Sequence, residues 1–393
     1  MKNVKQIASI ALMGLVMGSA FGCELKPKEN NKKELVAQAI VQPEKKDNNV
    51  VKIALLLDTS NSMDGLINQA KSQLWDIVNK FSYVKCGNEA RPNLQIALYE
   101  YGNDDLAAKE GYIRQVLGFS NDLDEISEKL FSLTTNGGEE FCGEVIHTSL
   151  KQLDWGKNED NLKMIFIAGN EPFSQGKLSY KDAATNAKEK DVVVNTIFCG
   201  NYEQGISTKW KDGAKLTGGE YIAIDHNKQI VQIGTPYDEI IIKLNSKLNT
   251  TYISYGSLGK RKMALQSKQD DNAVEVEEAV AVKRAVSKSS RLYSNSSWDL
   301  VDAAKDKNFD VAKVDKKQLP KELQNKSTAE IKKHIALKKS ERTKIQKEIN
   351  KLNAKREAYI AKNQKEGSKG ELENAMFNAI KKQAASKNYT WEK

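Results

Sequence analysis

Val51–Asp64 reads VKIALLLDTSNSMD, a continuous apolar run that ends on a cluster of small oxygen-bearing side chains. An unbroken run from Val51 to Leu57 is the pattern of a strand buried on both faces, as in a parallel sheet covered by helices. Asp58, Ser60 and Ser62 follow at alternate positions. In a tight loop such positions can turn their oxygens toward one point, and one carboxylate with two hydroxyls suits a hard divalent cation better than zinc or copper. Gly65–Phe81 then places Leu66, Ile67, Ala70, Leu74, Ile77, Val78 and Phe81 on one broad helical face. The loop stands at a strand-to-helix switch, where open α/β sheets keep their ligands. The rival reading is a Ser/Asn-rich turn that only caps the helix.

Outward from this stretch, strand and helix alternate. Leu94–Tyr101 predicts a second strand and Tyr112–Leu117 a shorter edge strand. Lys163–Ala168, Val192–Cys199 and Tyr221–Ile224 predict three more. Between and after them, Leu123–Leu133, Glu144–Leu153, Tyr180–Lys190, Trp210–Leu216 and Tyr237–Thr250 are helical. Such alternation demands right-handed crossovers, hence an α/β fold with a doubly wound, mainly parallel sheet over residues 50–256.

Asp58-x-Ser60-x-Ser62, between VKIALLLD and an amphipathic helix, resembles the first loop of the von Willebrand factor A (VWA) domain with its metal-ion-dependent adhesion site (MIDAS). The resemblance implies a Rossmann-like fold, a threonine from a second loop after a Gly-Gly pair, an aspartate from a third loop, and one coordination place left open for a partner's carboxylate. The chain departs from that pattern twice. Glu139 follows Gly137-Gly138, with Thr135 four residues earlier, and Gly169 stands where the family has its aspartate, the first acid being Glu171. In one reading Glu139 enters the shell, Glu171 reaches in through water, and magnesium or manganese is bound. In the other the shell is degenerate, Asp58 holds the helix N-terminus, and the face binds partners without metal.

Residues 1–22 carry two lysines, no acid and an apolar segment from Ile7 to Phe21, the pattern of an export signal too short to span a membrane. Ala20-Phe21-Gly22-Cys23 resembles a bacterial lipoprotein box, which implies cleavage before Cys23 and a lipid on its thiol. Glu24-Leu25-Lys26 lacks the aspartate of inner-membrane retention and favours the outer membrane. Residues 23–49 then form a polar, lysine-rich tether. Three further cysteines remain, Cys86, Cys142 and Cys199. By VWA layout Cys142 and Cys199 both lie near the upper rim of the sheet and are the expected disulfide, leaving Cys86 free.

The formal net charge of +9 is unevenly distributed: Ser257–Lys393 holds 32 Lys/Arg against 19 Asp/Glu, whereas Cys23–Gly256 holds 27 against 33. A basic tail on an acidic globule points to anionic lipid, envelope polymers or its own VWA domain. Its aromatics are too sparse for a nucleic-acid stacking platform. Residues 257–326 read as a partly helical linker. In 327–393, Ser327 and Glu330 form a capping box, and Ile331, Ile335, Ile345, Ile349, Leu352 and Tyr359 recur with Lys338, Arg342 and Arg356 on the same seam. That seam suits a coiled coil, half of a helical hairpin, or a helix lying on another surface. Leu372–Ala385 is a second amphipathic helix.

No nucleophile is paired with a base, and His147, His226 and His334 have no zinc-ligand spacing, so an enzyme is not expected. The sequence reads as a lipid-anchored envelope protein that binds, through a cation, a protein or peptide with an acidic side chain. The alternatives are a metal-independent scaffold recruited through the tail and, last, a metal-assisted hydrolase.

Overall fold

The expected alternation is the observed one. In the computed structural model, which describes residues 49–86, 91–227, 232–363 and 371–391, β1 (Val50–Asp58) is followed by α1 (Asp64–Phe81), β2 (Val84–Cys86), β3 (Asn93–Tyr101), β4 (Ile113–Ser120), α2 (Leu123–Phe131), α3 (Cys142–Gln152) and β5 (Leu162–Gly169). Then come α4 (Tyr180–Glu189), β6 (Val193–Cys199), α5 (Tyr202–Ser207), α6 (Trp210–Leu216), β7 (Tyr221–Ile224) and α7 (Asp238–Asn249). The C-terminal region supplies α8 (Gly259–Val276), α9 (Glu278–Lys288), α10 (Leu300–Ala303), α11 (Lys321–Gln324), α12 (Thr328–Asn363), α13 (Glu371–Ala385) and β8 (Tyr389–Trp391). The expected signal, Cys23 and the tether fall outside the described residues.

Six strands form one sheet in the order β4-β3-β1-β5-β6-β7. All pairs are parallel except β3 with the edge strand β4. Register sets the upper rim: Asp58 lies beside Tyr101 of β3, and Leu57 beside Ala168 of β5. Asp58, Gly102 and Gly169 therefore leave the sheet at one level.

Side chains alternate across the sheet into two cores. Val51, Ile53, Met164, Phe166 and Ile197 face α1, α2, α8, α9 and α13, and Ala54, Leu56, Tyr101, Ile165 and Phe198 face α3, α4 and α6. Cys199 belongs to the first core and Cys142 to the second, so the sheet separates them. The expected disulfide is not formed, and Cys86, Cys142 and Cys199 are buried free thiols.

The C-terminal region is built onto the sheet domain through the first core. α13 lies beside α1 and reaches β5 and β7. There Gln383 donates to the amide oxygen of fully buried Asn195 on β6 at 2.6 Å, which satisfies a polar group in an otherwise apolar face. β8 pairs antiparallel with β2 as a separate ribbon. α12 lies on α7, α9 and α10 and turns Ile331, Ile335, Ile349 and Leu352 inward.

Basic residues of the C-terminal region meet acids of the sheet domain: Lys262 with Asp122 (2.7 Å), Lys283 with Asp76 (2.6 Å), Arg284 with Asp124 (2.9 Å) and Arg356 with Asp238 (2.8 Å). The two arginines on the α12 seam are thus buried and paired. Arg342 bridges Asp299 (2.7 Å) and Asp302 (3.0 Å) and stacks its guanidinium over Tyr252. An arginine placed among isoleucines can stay buried only with such partners.

Candidate metal centre

β1 ends at Asp58, which is fully buried. Its Oδ1 accepts from the backbone N–H of Ser60 at 2.7 Å, a local turn that brings Ser60 back over the strand end. The Ser60 hydroxyl lies 3.3 Å from that of Ser62, and Ser62 Oγ accepts from Asn170 Nδ2 at 3.1 Å. The first loop therefore gathers one carboxyl and two hydroxyls, as the spacing predicts, and Asn170 ties the third loop to them.

The second acid is Glu140. Residues 134–141 have no regular secondary structure and are held over the ends of β1 and β3 by hydrogen bonds from the Asn136 N–H to the Thr59 carbonyl (3.0 Å) and from the Asp104 N–H to the Gly137 carbonyl. Gly138 faces inward: a Cβ there would stand 2.5 Å from the carbonyl oxygen of Gly102. Glu139 then points to solvent and Glu140 back into the site, with only 5% of its surface exposed. Gly102, at φ +75°, makes the space, since a Cβ there would meet Glu140 Cγ at 2.5 Å and Asp58 Oδ1 at 3.0 Å. The inward position after the Gly-Gly pair is the second residue, not the first.

The structure gives a reason for glycine at 169. A Cβ at that position would lie 2.6 Å from Tyr101 Oη and 3.1 Å from Asp58 Oδ2. Tyr101 fills the room an aspartate would need and donates to the carbonyl of Ala168 at 2.9 Å. The carboxyl missing from the third loop is replaced from the second.

The other expected residues are peripheral. Thr135 donates its hydroxyl to Asp64. Glu171 is exposed on the rim, and its backbone oxygen accepts from Trp210 Nε1 at 2.8 Å, which fixes the loop.

Burial pushes the Asp58 carboxyl up to about 7, with the charge of Glu171 adding to the rise and the Ser60 N–H and hydroxyl opposing it. Glu140 is pushed up to about 8 by burial and then by the charges of Asp58 and Glu171, again opposed by Ser60. Asp58 Oδ2, Glu140 Oε2 and Asn170 Oδ1 are buried acceptors without a hydrogen-bond donor. Two facing acids with free oxygens repel when both ionise, and a divalent cation removes that repulsion. Two carboxyls, two hydroxyls and an amide oxygen are a hard donor set, which fits magnesium or manganese. Among the described residues no group of three or more His, Cys, Asp and Glu has metal-holding geometry.

The von Willebrand factor type A domain model matches residues 52–207. No curated protein matches the chain. Among solved structures, the conserved hypothetical protein BatB from Bacteroides thetaiotaomicron is 17% identical (TM-score 0.34), and the match covers 44% of this chain and 90% of that one. An aerotolerance-related membrane protein from Bacteroides fragilis is 15% identical (TM-score 0.30), covering 45% and 93%. Proximal thread matrix protein 1 from the mussel byssus, in a form with a zinc-occupied MIDAS motif, is 16% identical (TM-score 0.35), covering 46% of this chain and 43% of that one. The chain thus spans less than half the length of the mussel protein it matches.

Proposed function

We propose, from a chain whose residues 52–207 match the von Willebrand factor type A domain model, that the upper rim of the sheet is a cation-dependent protein-binding site. VWA domains typically bind proteins, often through a MIDAS, and the ligand set here is Asp58, Ser60, Ser62 and Glu140. The observation that carries this reading is the pair of buried, donorless oxygens, Asp58 Oδ2 and Glu140 Oε2, between two loops at one end of the sheet. A bound magnesium or manganese ion would supply the charge that lets both carboxyls ionise and a place for a partner's acidic side chain. Ser60 and Ser62 present hydroxyls toward that place, Asn170 holds Ser62, and Tyr101 keeps Gly169 free of a side chain. Binding is favoured over catalysis because the histidine at this rim, His226, has its Nε2 3.1 Å from the carbonyl of Ser62 instead of beside a nucleophile.

Titration calorimetry with magnesium and with manganese tests the reading. Wild type should bind one ion, and Ser60→Ala should weaken binding while leaving the fold intact. Absence of binding at millimolar ion would transfer the role to a metal-independent scaffold.

We also propose, from the Ala20-Phe21-Gly22-Cys23 box, that Cys23 carries a lipid that holds the domain at the envelope. Wild type should partition into detergent with a blocked N-terminal Cys23, and Cys23→Ser should not.

A further inference from the structure

α12 is charged on both sides, in different ways. Its inward arginines, Arg342 and Arg356, are consumed by Asp299, Asp302 and Asp238. On its outer side Lys333, Lys339, Lys344, Lys347, Lys351 and Lys355 are all exposed, and none of the six makes an ion pair among the described residues. At 3.6 residues per turn they fall within roughly 160° of the helix circumference, opposite the Ile331–Ile349 seam, along about 33 Å of axis. The other places in that sector are Ala336, Leu337, Ser340, Thr343, Asn350 and Ala354. No acid interrupts it. Glu341 and Glu348 lie beyond its edge, and Glu341 is occupied with Lys338 at 3.0 Å.

A helix that needed only solubility would mix both signs on this face. A straight, one-signed row on a rigid rod instead matches an extended anionic surface. We propose that the lysine stripe of α12 is a docking face for an anionic phospholipid bilayer. The choice of a bilayer rests on the lipid-anchor reading of Cys23. The 25 residues between Cys23 and Asn49 limit the distance from the anchor to the domain to at most roughly 80–90 Å, so the stripe can reach the surface. Attraction acts only within a Debye length of about 8 Å, so the stripe must lie against the headgroups. Leu337, the one large apolar side chain in the sector, is 55% exposed and would enter the interface.

The test uses full-length protein with Cys23→Ser, which removes the lipid and so separates this proposal from the anchor itself. Sedimentation with phosphatidylglycerol-rich vesicles at physiological salt should show binding that vanishes with phosphatidylcholine alone and at high salt. At about fivefold per lysine, Lys344→Glu/Lys347→Glu/Lys351→Glu should weaken it by more than about a hundredfold. Circular dichroism of that variant should be unchanged, because all three side chains are in solvent. The control Lys181→Glu/Lys188→Glu/Lys190→Glu makes the same change in net charge on α4 and its C-cap and should keep vesicle binding. An equal loss in the control, or no binding by the parent protein, would overturn the proposal. Tighter binding to linear polyphosphate than to vesicles would overturn it too, assigning the stripe to a soluble polyanion.

Discussion

Two sets of buried charges in this molecule are treated oppositely. Among the C-terminal helices buried arginines have their acids: Arg342 of α12 holds Asp299 and Asp302, and Arg284 of α9 holds Asp124 and Asp270. At the upper rim of the sheet Asp58 and Glu140 are both acids, face each other, and keep oxygens without donors. A closed set of partners fixes one arrangement of helices. An open set keeps its protons in the metal-free protein and repels once both acids ionise, so the first region is structural and the second is where the proposed cation would act.

The largest expected effect breaks the closed set. Arg342→Ala leaves buried Asp299 without a cation and Asp302 with only the exposed Lys305 (2.7 Å), and should cost about 3–5 kcal/mol, read by denaturant unfolding. A loss under about 1 kcal/mol would mean that α12 is held by its isoleucines alone.

Opening the other set should act in the reverse direction. Both rim acids are raised in the folded state, Asp58 to about 7 and Glu140 to about 8, so the metal-free protein holds their protons more tightly than the unfolded chain does. Their contribution is therefore fully present at low pH and is lost as pH rises from the ordinary carboxyl range through about 8. The Tm of metal-free wild type should fall across that window. Glu140→Gln should flatten the fall and, above pH of about 8, be the more stable protein by on the order of 1 kcal/mol. Magnesium at a hundredfold excess over Kd should stabilise wild type by about 2.7 kcal/mol, and this gain should be absent from Glu140→Gln. A metal-free Tm that is flat in pH would contradict the pairing of these two acids.

The sheet was legible because its signals are local and redundant. Runs such as VKIALLLD and KMIFIA can be little but buried strands, and each is followed by a helix of matching period. Less legible was what long-range packing decides. β2 and β8 are three residues each and pair across almost the whole chain, and Gln383 explains Asn195 only once α13 is seen on the sheet. The seam of α12 showed its arginines, but their acids lie between 40 and 118 residues away and no periodicity points to them. At the rim, Asp58, Ser60 and Ser62 could be read because the turn is local, whereas the opposing acid depended on which way the second loop faces.

That orientation had one sequence clue, and it supplies the smallest and most discriminating test. A second glycine in the pair can approach another backbone where no other residue can, so Gly138 marks an inward position. In extended chain the residue after an inward one points out and the next points in. Glu139 should accordingly be silent: Glu139→Ala should change stability by no more than about 0.5 kcal/mol, as for surface positions, and leave the magnesium-induced rise in Tm as in wild type. Measured beside Glu140→Gln, it sets two adjacent glutamates against each other with the same probe. If Glu139→Ala removes the magnesium effect and Glu140→Gln keeps it, the second loop binds in the opposite register, and the rim that seeks a cation is built from the outward face of that loop.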